Sequence, residues 1–463
     1  MENTKVNPLG TAHINELIRK FALPSILAMI VGAIYNIVDQ FFIGRSIGEL
    51  GNAATNVAFP LSISCIAIAL LLGLGGAAAF NISLGEGNKE KAVYYIGNAS
   101  VLLFVCGLVL CIFVLAFLSP MLVFFGSPDN VLDYAKTYTG ITAIGFPFLI
   151  FSTGGGHLIR ADGSPRYTML CNLSGAVINT ILDPIFIFGF DMGMAGAAIA
   201  TIIGQIFAAF LAFRYLWNCK TVRIQRKHLY PKWQYSERIM SLGAASCFNQ
   251  IAMMIVQIVM NKSLAHYGAL SNYGEAIPLA SVGIITKVNQ LFFAVIIGIS
   301  QGMQPIASFN YGARKFDRVK KVYYLSLSYG LAVSAFSFLL FQLFPRQIIS
   351  VFGSGSEEYY RFATFYFRIY LFFTAINFIQ PMSATFFTAI GKPKKGIFIS
   401  LTRQILFLLP LIIILPIFIG IDGIMYAGPV ADFVAAAVSL VLITIELRHM
   451  ELAGNKNKNF KKL

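Results

Sequence analysis

Twelve apolar segments, each long enough to cross a bilayer, constrain this chain more than any other feature. A helical span needs about 20 apolar residues. Hydrophobic residues make up 57% of the 463 and charged residues only 12%, more apolar surface than a soluble domain could bury. The sequence therefore predicts an all-α polytopic membrane protein and not a β-barrel, because alternating strand patterns are absent. The segments lie near 17–43, 53–84, 93–118, 130–158, 167–190, 194–217, 236–266, 277–309, 322–344, 358–388, 396–419 and 423–447.

The basic residues predict the orientation of these spans. Of the 35 Lys and Arg residues, 26 lie in the termini and connections on one side of the predicted membrane and five on the other. The positive-inside rule places that side and both termini in the cytoplasm. The expected location of the protein is the cell (inner) membrane. The net charge of +15 is then a collar facing anionic lipids, so membrane lipids and not nucleic acids are the expected partners.

The two halves of the chain repeat each other at a nearly constant offset. The predicted units are an amino-terminal six-helix lobe (1–217), a cytoplasmic inter-lobe loop (218–238) and a carboxy-terminal six-helix lobe with a basic tail (239–463). Because each copy has an even number of spans, the two lobes should be related by an axis along the membrane normal, around a central cavity. The matching residues are Gly85 with Gly312, Lys91 with Arg318, Gly163 with Gly391, Pro165 with Pro393, Gly196 with Gly423, and Gln205 with Asp432.

Buried acids make the first lobe different from the second. Asn179 and Asp183 are four residues apart in an apolar run, so on a helix they share a face. A carboxylate at that depth costs about 3 kcal/mol and is functional by default, although Asp183 could instead only tie two helices together. Asp39 lies in the first span. The offset places Pro410 or Leu411 at the position of Asp183, so the second lobe lacks this acid.

The chain resembles the multidrug and toxic compound extrusion (MATE) family, in its bacterial MepA-like branch. The resemblance covers essentially the whole chain and depends on the order and spacing of several weak motifs. One departure is the run Gly154–Gly156, where relatives often carry an asparagine. The motifs are Pro24 and Asp39, IRADGSPR at 159–166, Asn179 with Asp183-Pro184, GMAGAAIAT at 193–201, and FNYGARKFDRVKK at 309–321.

The resemblance implies a V-shaped pair of lobes that exports bulky, often cationic, organic compounds in exchange for H⁺ or Na⁺ by alternating access. By position, it assigns Asp39, Asn179, Asp183 and Thr201 to the coupling site. We expect the two acids to approach each other, because neighbouring carboxylates in low dielectric do not readily both ionise and so can hold a proton. The same four side chains offer hard oxygen ligands that would suit Na⁺. The sequence does not choose between the ions.

Other residues complete the predicted site. The resemblance places a hinge at Pro24 and a cavity residue at Tyr35. In the second lobe, Arg403, Asp432 and Lys287 lie at membrane depth, where they form either a structural ion pair or a second coupling site. A monomer without cofactor or resident metal is expected, since the Cys and His residues form no metal-binding motif. Further candidates for the substrate cavity are Asn36, Phe151, Met169 and Gln257.

Other functions fit less well. A lipid-linked oligosaccharide or lipid flippase of the same superfamily would share the two lobes, but should line its cavity with several cationic residues. An ATP-driven pump is disfavoured because GxxxxGK[ST] is absent from the sequence. A membrane-embedded enzyme or an ion channel is a further alternative, yet the glycine motifs expected around a diaspartyl protease site are missing. We therefore expect an antiporter and not an enzyme.

Overall fold

All twelve apolar segments form helices that are long and apolar enough to span a membrane, as predicted. The computed structural model describes residues 7–274, 276–351 and 356–460, and in these ranges it contains helices but no strands. Eleven spans are single helices and the tenth is a pair with a 41° bend. They are α1 Ile14–Ile47, α2 Leu50–Gly85, α3 Lys89–Ala116, α4 Asp129–Ala161, α5 Pro165–Gly189, α6 Gly193–Trp217, α7 Trp233–Ala269, α8 Ile277–Gly312, α9 Phe316–Leu343, α10 Glu357–Tyr370 with Thr374–Ala389, α11 Pro393–Ile419 and α12 Ile421–Ala453.

Short elements interrupt or connect these spans. Three stretches within spans have π-helical bonding, which occurs often at functional sites. They are Leu70–Leu74 in α2, Ile185–Gly189 at the end of α5 and Thr402–Leu408 in α11. The short connecting helices are Pro8–Gly10, Leu118–Phe124, Arg226–His228 and Pro345–Val351. We call the side with the α2–α3, α4–α5, α6–α7, α8–α9 and α10–α11 connections the basic face.

The two lobes meet at the basic face on a pair of repeat-related glycines. A Cβ on Gly85 would lie 2.1 Å from the carbonyl oxygen of Phe309, and a Cβ on Gly312 would lie 2.1 Å from that of Ile82. Ile82 and Phe309 are themselves separated by the same offset as Gly85 and Gly312. Each half of the contact is therefore the image of the other, and the pseudo-two-fold axis passes between the ends of α2 and α8.

The amino-terminal part of α1 packs into the second lobe, although its sequence belongs to the first. Leu9, Ile14, Leu17 and Phe21 share a hydrophobic core with residues of α8 and α9. The turn before α1 is held there by hydrogen bonds to its backbone. The donors are the Asn310 amide to the oxygen of Leu9 (2.8 Å), the Lys315 ammonium to that of Gly10 (2.8 Å) and the Arg318 guanidinium to that of Ala12 (2.7 Å).

The start of α7 is held by the first lobe in the reciprocal way. Ile239 and Leu242 belong to the first-lobe core. The fully buried Asn98 donates to the carbonyl oxygen of His228 (3.1 Å) and accepts from the backbone N–H of Lys232 (2.7 Å). Asp162 accepts from the backbone N–H groups at 220 (2.7 Å) and 221 (3.1 Å). The first segment of each half thus packs against the other half. Helix α7 begins at Trp233, inside the predicted loop 218–238.

Candidate functional site

Asn179 is the centre of a buried polar cluster between α5 and α6. Its side-chain nitrogen donates to Oδ1 of Asp183, one turn later on α5, and to Oγ1 of Thr201 on α6, both at 3.2 Å. The Thr201 hydroxyl donates in turn to the carbonyl oxygen of Ala197 (3.0 Å). Both protons of the amide are therefore used, and the orientation of Asn179 is fixed. The structure thus brings together Asn179 and Asp183, whose spacing predicted a shared helix face, and Thr201, which the family resemblance assigned to the same site.

Three acceptor atoms of this cluster have no donor in the described part of the chain. They are Oδ2 of Asp183, Oδ1 of Asn179 and Oδ1 of Asp39. The Asp183 side chain is fully buried, and Asn179 and Asp39 are 1% and 8% exposed. Leaving a buried acceptor without a partner costs about 1–3 kcal/mol, more for a charged group. Such oxygens are suited to a bound proton or cation, which would satisfy several of them at once.

Helix α1 completes the cluster with Asp39 and Tyr35. Asp39 lies within electrostatic reach of Asp183. Tyr35, one turn before Asp39, lies beside Thr201. Tyr138 of α4 lies within electrostatic reach of both acids. Sequence analysis missed Tyr138, because it lies in a different span and nothing in its local sequence indicates which helix it faces.

The end of α5 is irregular beside the acid. Pro184 follows Asp183 directly and lacks the N–H of a regular helix. The π-helical turn Ile185–Gly189 comes next, and the chain then passes through Asp191 in a left-handed conformation (φ 54°). The backbone next to Asp183 is therefore not locked in regular α-helical bonding.

Pro24 lies in the part of α1 that packs closely against α8 of the second lobe. A Cβ on Gly302 of α8 would lie 2.6 Å from the nitrogen of Ala22, and a Cβ on Gly298 would lie 2.7 Å from Cα of Ile26. Pro24 lies between these two contacts, and Asp39 follows about 22 Å farther along the helix. One helix therefore has its start fixed to the second lobe and its carboxylate in the first.

The predicted cavity residues have mixed positions. Asn36 is exposed, and Tyr35, Met169 and Gln257 are partly exposed, which is compatible with contact to a substrate. Phe151 is only 7% exposed and belongs to the first-lobe core, with the rings of Phe104 and Phe213 about it. Its position therefore argues against the predicted cavity role, because a side chain that fills a core cannot also face a cavity.

The second lobe has a polar cluster of a different kind. The Arg403 guanidinium binds Oδ1 of Asp432 at 2.5 Å, and the Asn377 amide donates to Oδ2 of Asp432 at 3.1 Å. Tyr370 lies beside Arg403. The sequence grouped Lys287 with this pair, but the structure separates them. Lys287 is exposed and has no hydrogen-bond or ion-pair partner within the described ranges.

The glycine run at 154–156 has a packing role. A Cβ on Gly73 of α2 would lie 2.4 Å from the carbonyl oxygen of Gly154, and the Thr168 hydroxyl donates to that of Gly156 (3.0 Å). No larger residue would fit between α2 and α4 at Gly73. Where the resemblance led us to expect an asparagine, glycines here allow α2 and α4 to pack closely.

The available ligands are oxygens. In the described residues, no group of three or more His, Cys, Asp or Glu side chains could hold a metal ion. The first-lobe cluster offers two carboxylates, one amide oxygen and hydroxyl groups, which are hard donors.

Two six-helix lobes with a buried, partly unpartnered carboxylate pair have the architecture of a secondary membrane transporter. The chain belongs to the MatE family, whose model matches residues 24–185 and 245–414. It is 26% identical over 427 residues to the multidrug export protein MepA of Staphylococcus haemolyticus, covering 91% of this chain and 92% of that one. To MepA of Staphylococcus aureus strain MSSA476 it is 23% identical over 424 residues, with the same coverage.

Solved structures share the fold. A transporter of the MOP superfamily from Pyrococcus furiosus, described as having a binding pocket of reverse polarity, superimposes with a TM-score of 0.89 at 21% identity, over 97% of this chain and 100% of that one. A multidrug resistance MATE family transporter in an outward-facing conformation gives 0.89 at 22% identity with the same coverage.

Proposed function

We propose that the protein is an antiporter that exports small organic compounds in exchange for H⁺ or Na⁺. The observation that carries this proposal is the set of unpartnered buried oxygens on Asp39, Asn179 and Asp183. The names of the MepA relatives support multidrug export. Bulky organic cations are the substrate class that the family resemblance implies.

Both ions fit the cluster. A proton would neutralise one carboxylate of a pair whose charges interact, and Na⁺ would be coordinated by the carboxylate, amide and hydroxyl oxygens. Inward movement of either ion gains about 2.3 kcal/mol per 100 mV of membrane potential. That energy is available to drive a compound out against its gradient.

Coupling through α1 follows from its two attachments. When the cation binds, the repulsion between Asp39 and Asp183 is relieved, and this part of α1 can rearrange relative to the first lobe. The other end of α1 is bonded to Asn310 and Arg318 of the second lobe. A change at the acid pair is therefore transmitted to the contact between the lobes, with Pro24 as the hinge.

Orientation and assembly form part of the same proposal. We place the protein in the bacterial cell membrane, with the basic face and both termini on the cytoplasmic side. There the basic residues face anionic lipids. With the lobes in contact at Gly85 and Gly312, this conformation is closed to the cytoplasm and so faces outward. The protein works as a monomer, with units 1–217, 218–238 and 239–463.

The test is ethidium transport by purified protein in proteoliposomes, under imposed pH and Na⁺ gradients applied separately. Wild type should transport under one gradient, and Asp183→Asn should lose at least about 90% of that rate, because it removes a charge that the ion must neutralise. Asp191→Asn is the matched control, since Asp191 is exposed eight residues later. Full gradient-driven transport by Asp183→Asn would refute the site. If folded wild type responded to neither gradient, lipid-linked substrates and the flippase function would be tested next.

A further inference from the structure

Lys287 lies on the face of α8 that is turned toward α1. It precedes Gly298 by about three full turns of an α-helix, so both residues lie on the same side of α8. At Gly298 and Gly302 this side is in close contact with Ile26 and Ala22 of α1. Farther from the basic face, where Lys287 lies, the same side is exposed.

The antiparallel contact between α1 and α8 places Lys287 at the depth of Asn36. The residue numbers in both glycine contacts add to 324, and at that register Lys287 is opposite position 37. The helix ends agree, because Lys287 is about as far from Ile277, where α8 begins, as Asn36 is from Ile47, where α1 ends. Asp39 is one turn beyond Asn36. The lysine is therefore level with the proposed coupling site, on the opposite lobe.

Both facing sides carry exposed polar residues at this level. On α1, the exposed residues that continue the side of Ala22 are Asn36 and Gln40, and on α8 the residue is Lys287. Facing side chains of packed helices would be buried, so their exposure means that the helices have separated at this level. Charged and amide side chains inside a membrane face water or protein and not lipid. The ammonium and the two amides therefore indicate a water-filled space between the lobes.

We propose that Lys287 binds an acidic group of the transported compound. The ammonium has no counter-ion in the described part of the chain, and a lone cation at membrane depth is costly and marks a substrate or ion path. A carboxylate-bearing amphiphile would supply that counter-ion, while its aromatic or aliphatic body occupies the space between the lobes. Substrates then include zwitterions and organic acids beside cations. This inference rests on the proposed export function and names a substrate class for it.

The experiment compares two dyes that differ by one charge. Rhodamine B carries a carboxylate, and its ethyl ester does not. Gradient-driven transport of both is measured in proteoliposomes with wild type, Lys287→Met and Lys262→Met, an exposed lysine on α7 that serves as the control. Lys287→Met should lower the rate for rhodamine B relative to the ester by about tenfold, the equivalent of about 1.4 kcal/mol. Lys262→Met should leave the ratio unchanged, and Lys287→Arg should restore most of it.

The outcomes separate this inference from the function on which it rests. Transport of the ester by Lys287→Met shows that the variant is folded. An unchanged dye ratio in that variant would overturn the acidic-group subsite alone. If Lys287→Met transported neither dye, binding of rhodamine B to Lys287→Gln, followed by fluorescence anisotropy, would decide, and wild-type affinity there would overturn the subsite. Transport of neither dye by wild type would overturn the export function, and the subsite with it.

Discussion

Asp183 in the first lobe and Asp432 in the second are both buried, but their surroundings differ. Asp183 accepts one hydrogen bond from a neutral amide, its second oxygen has no donor in the described structure, and another acid lies nearby. Asp432 has a guanidinium on one oxygen and the Asn377 amide on the other. The first cluster gains from an added positive charge, whereas the second already contains one. The two halves of one repeat can therefore have opposite electrostatic requirements.

This contrast assigns different tasks to the two lobes. An acid that lacks a cation can bind and release one during each cycle, while an acid already paired with Arg403 would first have to break a 2.5 Å contact. We expect ion exchange in the first lobe and structural support from the pair in the second. Asp183 lies beside one π-helical stretch and Arg403 lies within another, so local backbone irregularity alone does not distinguish the two roles.

The largest predicted effect on stability comes from breaking the second-lobe pair. Asp432→Asn leaves the buried Arg403 guanidinium without its carboxylate and should destabilise the protein by about 3–5 kcal/mol. Asp183→Asn removes an uncompensated charge and should leave stability unchanged or raise it. Thermal unfolding of both variants in the same detergent measures the difference. Equal melting temperatures for the two would remove the distinction between the lobes.

A smaller effect tests the symmetry of the lobe contact. Gly85→Ala and Gly312→Ala each place a methyl group 2.1 Å from a carbonyl oxygen of the other lobe, and such overpacking costs about 1–3 kcal/mol. Because the two contacts are images of each other, the two losses should be equal within error. Gly32→Ala, where a Cβ meets nothing within 4 Å, is the control. Markedly unequal losses would contradict the position of the axis.

The smallest predicted effect distinguishes how the first lobe binds residues 218–232 from how the second lobe binds residues 7–12. Burial, with the charges of Lys227 and Lys232, lowers the pKa of His228. Its Nδ1 accepts from the backbone N–H of Gln225 (3.0 Å), which only the neutral ring can do. The stabilisation of this segment by neutral His228 is therefore complete above the unfolded pKa of about 6.5. It is lost as the pH falls from there through the lower pKa of the folded state. The second lobe instead uses Asn310, Lys315 and Arg318, and none of these is a histidine.

Hydrogen exchange between pH 7.5 and 5, corrected for intrinsic rates, measures this difference. Exchange in residues 218–232 should rise severalfold as the pH falls, while exchange in residues 7–12 should not respond. His228→Phe should remove the pH dependence of the first segment. An acid-induced rise in both segments, or one that persists in His228→Phe, would show that another group is responsible.

The helices and the α5–α6 part of the site were predictable, because they follow from local patterns. Span length gave all twelve membrane crossings, and the four-residue spacing of Asn179 and Asp183 placed them on one face. Tyr138 and Asn377 were missed because their partners lie on other helices, and one sequence does not reveal which faces meet. The role of Phe151 stays a prediction for a related reason, since an aromatic side chain in an apolar span fits a core and a cavity equally well. The lack of a contact between Lys287 and Arg403 in the described structure was likewise not predictable, because one sequence does not show which helix faces meet.

The reciprocal exchange of first segments also sets an order of events during synthesis. The amide of Asn310 is 301 residues beyond the Leu9 carbonyl that it binds. At about 5–20 residues per second, roughly 15–60 s pass before this partner of the amino terminus has been made. Until then, the beginning of α1 is in the membrane without the surface that later surrounds it. If synthesis stops between the two halves, the first lobe is left with the start of α1 unpacked. This exposed segment would be a recognition signal for membrane quality control.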